Sequence, residues 1–443
     1  MKSIEELEKE YRKRTPTSLK CFERAKEYIP LGVNSNFQAY DPYPIFWDHA
    51  KGNRYWDVDG NEYIDFNSAF GSTLAGHAHP LIVKAVTEQL SKGTLYTAPT
   101  DLTATCVEEI KKRFPVDMVR FANSGTEATM HALRVARAYT EKEKVIKIEG
   151  CYHGMHDYLL QSVEPDLDKA GPDDRPYTVP QSKGIPKDIS KGTIVVPFNN
   201  ADAMQDALER NKGDVAAVIM EPVMMNCTLI PPRDGYLEKV RELTEAYKAV
   251  LIFDEVKTGF KVAYGGASEY YHIKPDLITL AKCLGSGFSL AAFGGKKEIM
   301  EVIGPGGVAH GGTYSANPLA IRASITALRE VLTRENLAHA TKLEDKLADG
   351  LRKALKDNGI PGYVNSLGPC GMVMFTEHEI YDYRTTVRYY NSDRLKKLWF
   401  GLVNNGIWIA PHTDEHWTVS VLHTEEDIDK ALAVIEKVAP DLK

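Results

Sequence analysis

The chain has 443 residues, 43% of them hydrophobic and 26% charged, with a formal net charge of -7. That length builds one large core and a smaller one, so two domains are expected. Basic residues are interspersed with acidic ones, which leaves no face for a nucleic-acid backbone and no polybasic membrane anchor.

The opening stretch MKSIEELEKEYRKR reads as an exposed charged helix. It lacks the apolar core of a signal peptide, and no later run approaches membrane length, so a cytosolic protein is expected. Ser18 to Pro30 has helical character. Pro44 to Phe66 reads as a small meander of two runs about the turn signal Asp59-Gly60-Asn61. We assign residues 1–68 to an N-terminal segment of the smaller domain. From 69 to 328 the pattern becomes strand, glycine-bearing turn and amphipathic helix, repeated. Its strands are Val119–Phe121, Lys144–Ile148, Ile194–Val196, Val215–Met220, Val250–Phe253 and Leu277–Leu280. This alternation predicts an α/β large domain whose mostly parallel sheet is covered by helices on both faces. Residues 329–443 read as a smaller α+β domain: a long charged helix, strands near Val373–Phe375 and Trp408–Ile409, and a closing helix over Glu425–Val438. Val163 to Ser190 is rich in Pro, Asp and Gly without any period, and is either a lid or a surface insertion. Cys21, Cys106, Cys151, Cys227, Cys283 and Cys370 are scattered singly, as buried free thiols would be.

The chemistry gathers where strands end, since the crevice of an open α/β sheet lies at the carboxyl ends of its strands. Asp254 and Lys282 each follow a short apolar run and would face that crevice together. Asn123-Ser124-Gly125-Thr126-Glu127 joins a strand to a helix. That geometry points free N–H groups and a helix dipole at an anion, which makes Ser124, Gly125 and Thr126 a phosphate cradle. The spacing fits neither a nucleotide-hydrolysing loop nor a dinucleotide fingerprint. Tyr152 follows another strand and suits stacking on a flat ring. His153 and His156 have no third ligand nearby, so no metal site is expected. Glu221 and Asn226 close a fourth strand end. A Schiff-base lysine, a carboxylate for a ring nitrogen, a phosphate site and an aromatic plate are what pyridoxal phosphate needs. The aspartate would keep the ring nitrogen protonated, and the lysine would serve as the base that moves the substrate proton.

With NSGTEA at Asn123, EGCYHG at Glu149, EPV at Glu221, LIFDEV at Leu251 and DLITLAK ending at Lys282, the chain resembles a known family. These are the class III aminotransferases of pyridoxal-phosphate fold type I, in the glutamate-1-semialdehyde 2,1-aminomutase branch. The likeness runs from PLGVNS at Pro30 to HTEEDID at His423. It implies that Lys282 bonds the cofactor and Asp254 pairs with the ring nitrogen, while Val256 packs on the ring. It further implies that Gly125 and Thr126 hold the phosphate, Tyr152 stacks, and Glu221 and Asn226 support the ring. HGGTYSANP resembles the segment that closes a neighbouring subunit's phosphate site, so a homodimer is implied, with Thr313 acting across its interface.

The chain departs from that branch on the substrate side. Gln38 stands where the branch carries a carboxylate-gripping arginine, and Phe70 stands where it has tryptophan. The insertion after Val163 replaces a small-residue gating loop, and Thr413-Asp414-Glu415-His416-Trp417 replaces a phenylalanine-glutamate-alanine-glycine segment in which Glu415 matches the glutamate. A neutral amide gives up the bidentate pairing an arginine offers. The leading reading is an aminotransferase between an amino acid (β-amino and aromatic ones included) or amine donor and a keto acid or aldehyde acceptor. Ser35, Phe37, Gln38, Phe70, Tyr152, Glu415 and Trp417 are its candidate substrate residues. The alternative is the intramolecular aminomutase that makes 5-aminolevulinate. A racemase or epimerase is less favoured, and a non-catalytic binding module is disfavoured by the presence of both Lys282 and Asp254.

Overall fold

The computed structural model describes residues 2–411 and 415–443. They form two compact units. The first gathers the chain up to His79, Ala338–His378 and the chain from Tyr390, and the second gathers Pro80–Leu337 and Glu379–Tyr389.

The first unit begins with an antiparallel meander of β1 (Trp47–Lys51), β2 (Arg54–Asp57) and β3 (Glu62–Asp65). The turn at Asp59-Gly60-Asn61 is fixed by Asp57, whose Oδ1 accepts the N–H groups of Asp59 at 3.0 Å and Asn61 at 2.7 Å. A second reversal at Gly52-Asn53 makes three strands of what the sequence presents as two runs.

The second unit carries β4 (Met118–Ala122), β5 (Lys144–Ile148), β6 (Thr193–Val196), β7 (Val215–Met220), β8 (Val250–Asp254), β9 (Leu277–Leu280) and β10 (Ala291–Gly295). They form one sheet in the order β4-β10-β9-β8-β7-β5-β6. The run from β6 to β9 is parallel, and β10 is antiparallel to both its neighbours. The unbroken apolar runs follow from burial on both faces. On one face Ala217, Ile219, Ile252, Leu277 and Phe293 pack with Ala128, Ala132, Leu133 and Val135 of the helix Gly125–Thr140. On the other, Val218, Met220, Leu251, Phe253 and Ile278 are equally buried. The sequence reading contains no β10. Ala291-Ala292-Phe293-Gly294-Gly295 has no β-branched residue, so pairing on both sides decides its conformation. Residues 163–188 hold no helix or strand, only a single bridge between Gln161 and Pro180 at their base.

The helix Arg334–Asn358 returns the chain to the first unit, where β11 (Tyr363–Leu367) and β12 (Cys370–Met374) form a hairpin. There β13 (Ile407–Trp408) adds to β3 in parallel, and β14 (Trp417–Thr418) pairs with β12. Aromatic residues dominate this unit's interior: Tyr11, Tyr43, Tyr63, Trp399, Phe400 and Trp408. The closing helix Glu425–Val438 starts in a capping box between Thr424 and Asp427.

Candidate functional site

Every cofactor residue expected from the sequence falls in the second unit, most of them at the carboxyl ends of its strands. After β4 the chain turns directly into the helix Gly125–Thr140. Ser124 caps that helix by accepting Glu127 N–H, and the first intrahelical bond is Ala128 N–H to Ser124 C=O. The amides of Gly125 and Thr126 therefore precede the helical ladder, and among the described residues no acceptor pairs with them. Gly125 also has a packing reason: a Cβ there would lie 3.3 Å from Val256 Cγ2. The Thr126 hydroxyl accepts Met155 N–H at 3.1 Å and keeps its own proton to donate. Two free amides, a hydroxyl and the positive end of a 16-residue helix fit a phosphate group.

Asp254 ends β8 and is buried. Its Oδ1 accepts Val256 N–H and the Thr279 hydroxyl, each at 3.0 Å, and its Oδ2 lies 2.7 Å from His153 Nδ1. Thr279 is its register partner on β9. His153 is buried as well, and its carbonyl accepts the Thr129 hydroxyl at 2.6 Å. One lone pair on Oδ2 remains for a further donor such as a protonated ring nitrogen. His153 thus belongs to the site as the aspartate's partner, a role the sequence does not suggest. Among the described residues, no group of three His, Cys, Asp or Glu could hold a metal ion.

Between β5 and β8 lies β7, and Glu221 follows it directly. This buried carboxylate accepts Tyr152 N–H on Oε1 and the N–H groups of Met225 and Asn226 on Oε2. Burial pushes its pKa up, against the pull of His153. Glu221 thereby ties the turn that carries Tyr152 to the turn that carries Asn226. Lys257 closes the second turn by donating to Met225 C=O at 3.0 Å. Burial, together with the charge of Asp254, raises the Tyr152 phenol to about 12, so it stays protonated at neutral pH.

Lys282 follows β9 with its backbone in the left-handed region, at φ +47°. A lysine there is strained by an amount of order 1 kcal/mol or more, the kind of local cost that collects at functional sites. Val256 is partly buried and packs against the sheet core. Thr313 lies in the exposed stretch Gly311–Tyr314.

The candidate substrate residues other than Tyr152 belong to the first unit. Ser35 caps a single turn by accepting Phe37 N–H, and Gln38 Oε1 accepts Asn34 N–H at 3.2 Å. Phe37 and Gln38 are exposed. Phe70 has φ +56°, and Asn67 Oδ1 accepts its N–H. Thr418 N–H donates to Phe66 C=O, which brings the Phe70 turn and the Glu415–Thr418 segment together within this unit. Trp417 points inward: it is buried and its indole N–H donates to Glu344 Oε2 at 2.6 Å. A residue so engaged belongs to the core of its unit, contrary to its expected place in a substrate pocket. Glu415 is largely buried and lines, with Trp417, a small apolar cavity of about 30 Å³. Thr413 and Asp414 lie outside the described residues.

The family model for class-III aminotransferases matches residues 36–439. A glutamate-1-semialdehyde 2,1-aminomutase of Thermodesulfovibrio yellowstonii is 41% identical, over 96% of this chain and 99% of its own. Among solved structures, an omega-transaminase from Sphaerobacter thermophilus superposes with a TM-score of 0.91 at 32% identity, covering 96% of this chain and 97% of its own. A transaminase with pyridoxal phosphate bound superposes with a TM-score of 0.87 at 30% identity, covering 97% and 98%.

Proposed function

Since the chain belongs to the class-III aminotransferases and uses pyridoxal phosphate, we propose that it moves an amino group from a small amino donor to a keto acid or aldehyde. The observation that carries this reading is the strand-end constellation of Asp254 with His153, Lys282 just after the next strand, and the free amides before Ala128. Pyridoxal phosphate supplies a ring that withdraws electrons from the substrate carbon. Gly125 and Thr126 hold the phosphate, and Asp254, oriented by His153 and Thr279, holds a proton at the ring nitrogen. Tyr152 and Val256 would pack against the ring. Lys282 supplies the amine that anchors the cofactor and the base that carries the substrate's proton. The protein works in the cytosol as a homodimer, with Thr313 completing the partner's phosphate site.

Two readings of the substrate follow. Transfer between two molecules is favoured by Gln38, a neutral amide that offers a substrate carboxylate no charge. Amino transfer within glutamate-1-semialdehyde is favoured by the 41% identity to an aminomutase over nearly the whole chain, and the curated relatives support this second reading better than the first. Holoprotein without acceptor should be exposed to single amino donors, the cofactor spectrum followed and the carbonyl product assayed. Stoichiometric conversion by one donor class establishes the first reading and names the donor. Turnover of glutamate-1-semialdehyde with no acceptor, and no conversion by ordinary donors, establishes the second. Lys282→Ala should abolish both; a variant turning over at the parental rate would sink the assignment.

A further inference from the structure

The segment 163–190, rich in Pro, Asp and Gly, is held by an element far from it in the chain. The short helix Tyr383–Tyr389 belongs to an excursion, Glu379–Tyr389, that is part of the second unit although the chain on either side of it is not. Its Arg384 is buried, and all five of its guanidinium N–H groups find acceptors. Nε and Nη2 grip Glu149 as a fork at 2.8 and 3.0 Å. Nη1 donates to Gly171 C=O and Asp173 Oδ1 at 2.7 and 2.8 Å, and Nη2 donates also to Ala170 C=O at 2.9 Å. Arg388 takes the same Asp173 at 2.7 and 2.8 Å. Beside it the Tyr383 hydroxyl donates to Pro165 C=O at 2.8 Å.

Glu149 is the first residue after β5 and opens the turn that displays Tyr152 and His153. The excursion also packs on that turn sterically. Gly150 sits at φ +85°, and a Cβ there would fall 2.6 Å from Tyr383 Cβ. The turn is thus held from its cofactor side by Glu221 and Asp254 and from behind by Arg384 and Tyr383. We propose that Arg384 is a positioning residue: through Glu149 it sets the plane of Tyr152 and the His153–Asp254 pair, and through Ala170, Gly171 and Asp173 it ties them to the inserted strap. The strap is then a fixed wall rather than a free gate along 165–173. Lysine cannot replace this residue, because an ammonium has no planar fork with which to bridge two carboxylates and two carbonyls.

This inference rests on the cofactor reading above, and the test separates the two. Arg384→Ala, Arg384→Lys and Asp173→Asn holoproteins are compared with the parent in three measurements. These are the pH midpoint of the cofactor's visible absorption, the rate of cofactor release on dilution, and the rate of proteolytic cleavage within 163–190. Arg384→Ala should release cofactor about 10-fold faster or more and shift the midpoint. Arg384→Lys should move in the same direction. Asp173→Asn, which weakens the strap's contacts with Arg384 and Arg388 but spares the Arg384–Glu149 fork, should leave both cofactor readouts at parental values and speed cleavage. An Arg384→Ala holoprotein with parental midpoint and release rate overturns the proposal. If that variant does not fold, Glu149→Gln serves in its place, with the same outcomes. A Lys282→Ala protein that kept the parental cofactor spectrum would instead overturn the cofactor reading itself.

Discussion

Asp254 has two kinds of neighbour, and they differ in how far the sequence discloses them. Val256 N–H and the Thr279 hydroxyl come from its own turn and from the adjoining strand, so a carboxylate at a strand end beside Lys282 was legible as a candidate site residue. His153 comes from the turn after β5, with β7 standing between β5 and β8. No local spacing announces that meeting, which depends on strand order, and the sequence offered the histidine only as a metal ligand without companions. Its role predicts a measurable effect. His153→Ala should lower kcat by roughly 10- to 100-fold, the loss expected for one hydrogen bond to a buried charge. It should also shift the pH midpoint of the cofactor spectrum while changing KM less. Unaltered kcat and an unaltered midpoint would remove the histidine from the machinery.

At the scale of elements, the parallel strands were legible because burial on both faces leaves them as continuous apolar runs, whereas β10 was invisible because alanine and glycine carry no such mark. The segment β14 shows the opposite failure. Trp417 sits among polar neighbours and reads as a pocket aromatic, but a carboxylate 73 residues earlier in the chain draws it inward. That carboxylate, Glu344 on the helix Arg334–Asn358, is fully enclosed, and burial raises its pKa to about 8, against the pull of the Trp417 hydrogen bond. The folded protein therefore keeps a proton that the unfolded chain releases once pH exceeds the ordinary carboxylate range. Stability contributed by the neutral form is complete below that range and declines as pH rises towards about 8. Urea midpoints of the parent should fall over that window relative to Glu344→Gln, by an amount of order a few kcal/mol in unfolding free energy. Parallel pH profiles for the two proteins would show that Glu344 ionises freely in the fold.

For the whole molecule, the candidate cofactor residues lie in the second unit, and all candidate substrate residues except Tyr152 lie in the first, Phe70 among them although the sequence reading assigns it to the large domain. The proposed homodimer adds a requirement that one chain alone cannot meet. Thr313→Ala and Lys282→Ala proteins should each be impaired, the second completely. If Thr313 serves the partner's site, mixing them under subunit exchange should regain activity, because a mixed dimer holds one site with Lys282 from one chain and Thr313 from the other. No regain in verified mixed dimers would place Thr313 within its own chain's function. Lys282 also bears on the history of the chain. Its left-handed backbone is one that glycine or asparagine occupies with less strain. Mutation alone would therefore drift this position away from lysine while easing the fold. A lysine kept here at a local cost to the fold is what the proposed role in anchoring the cofactor calls for.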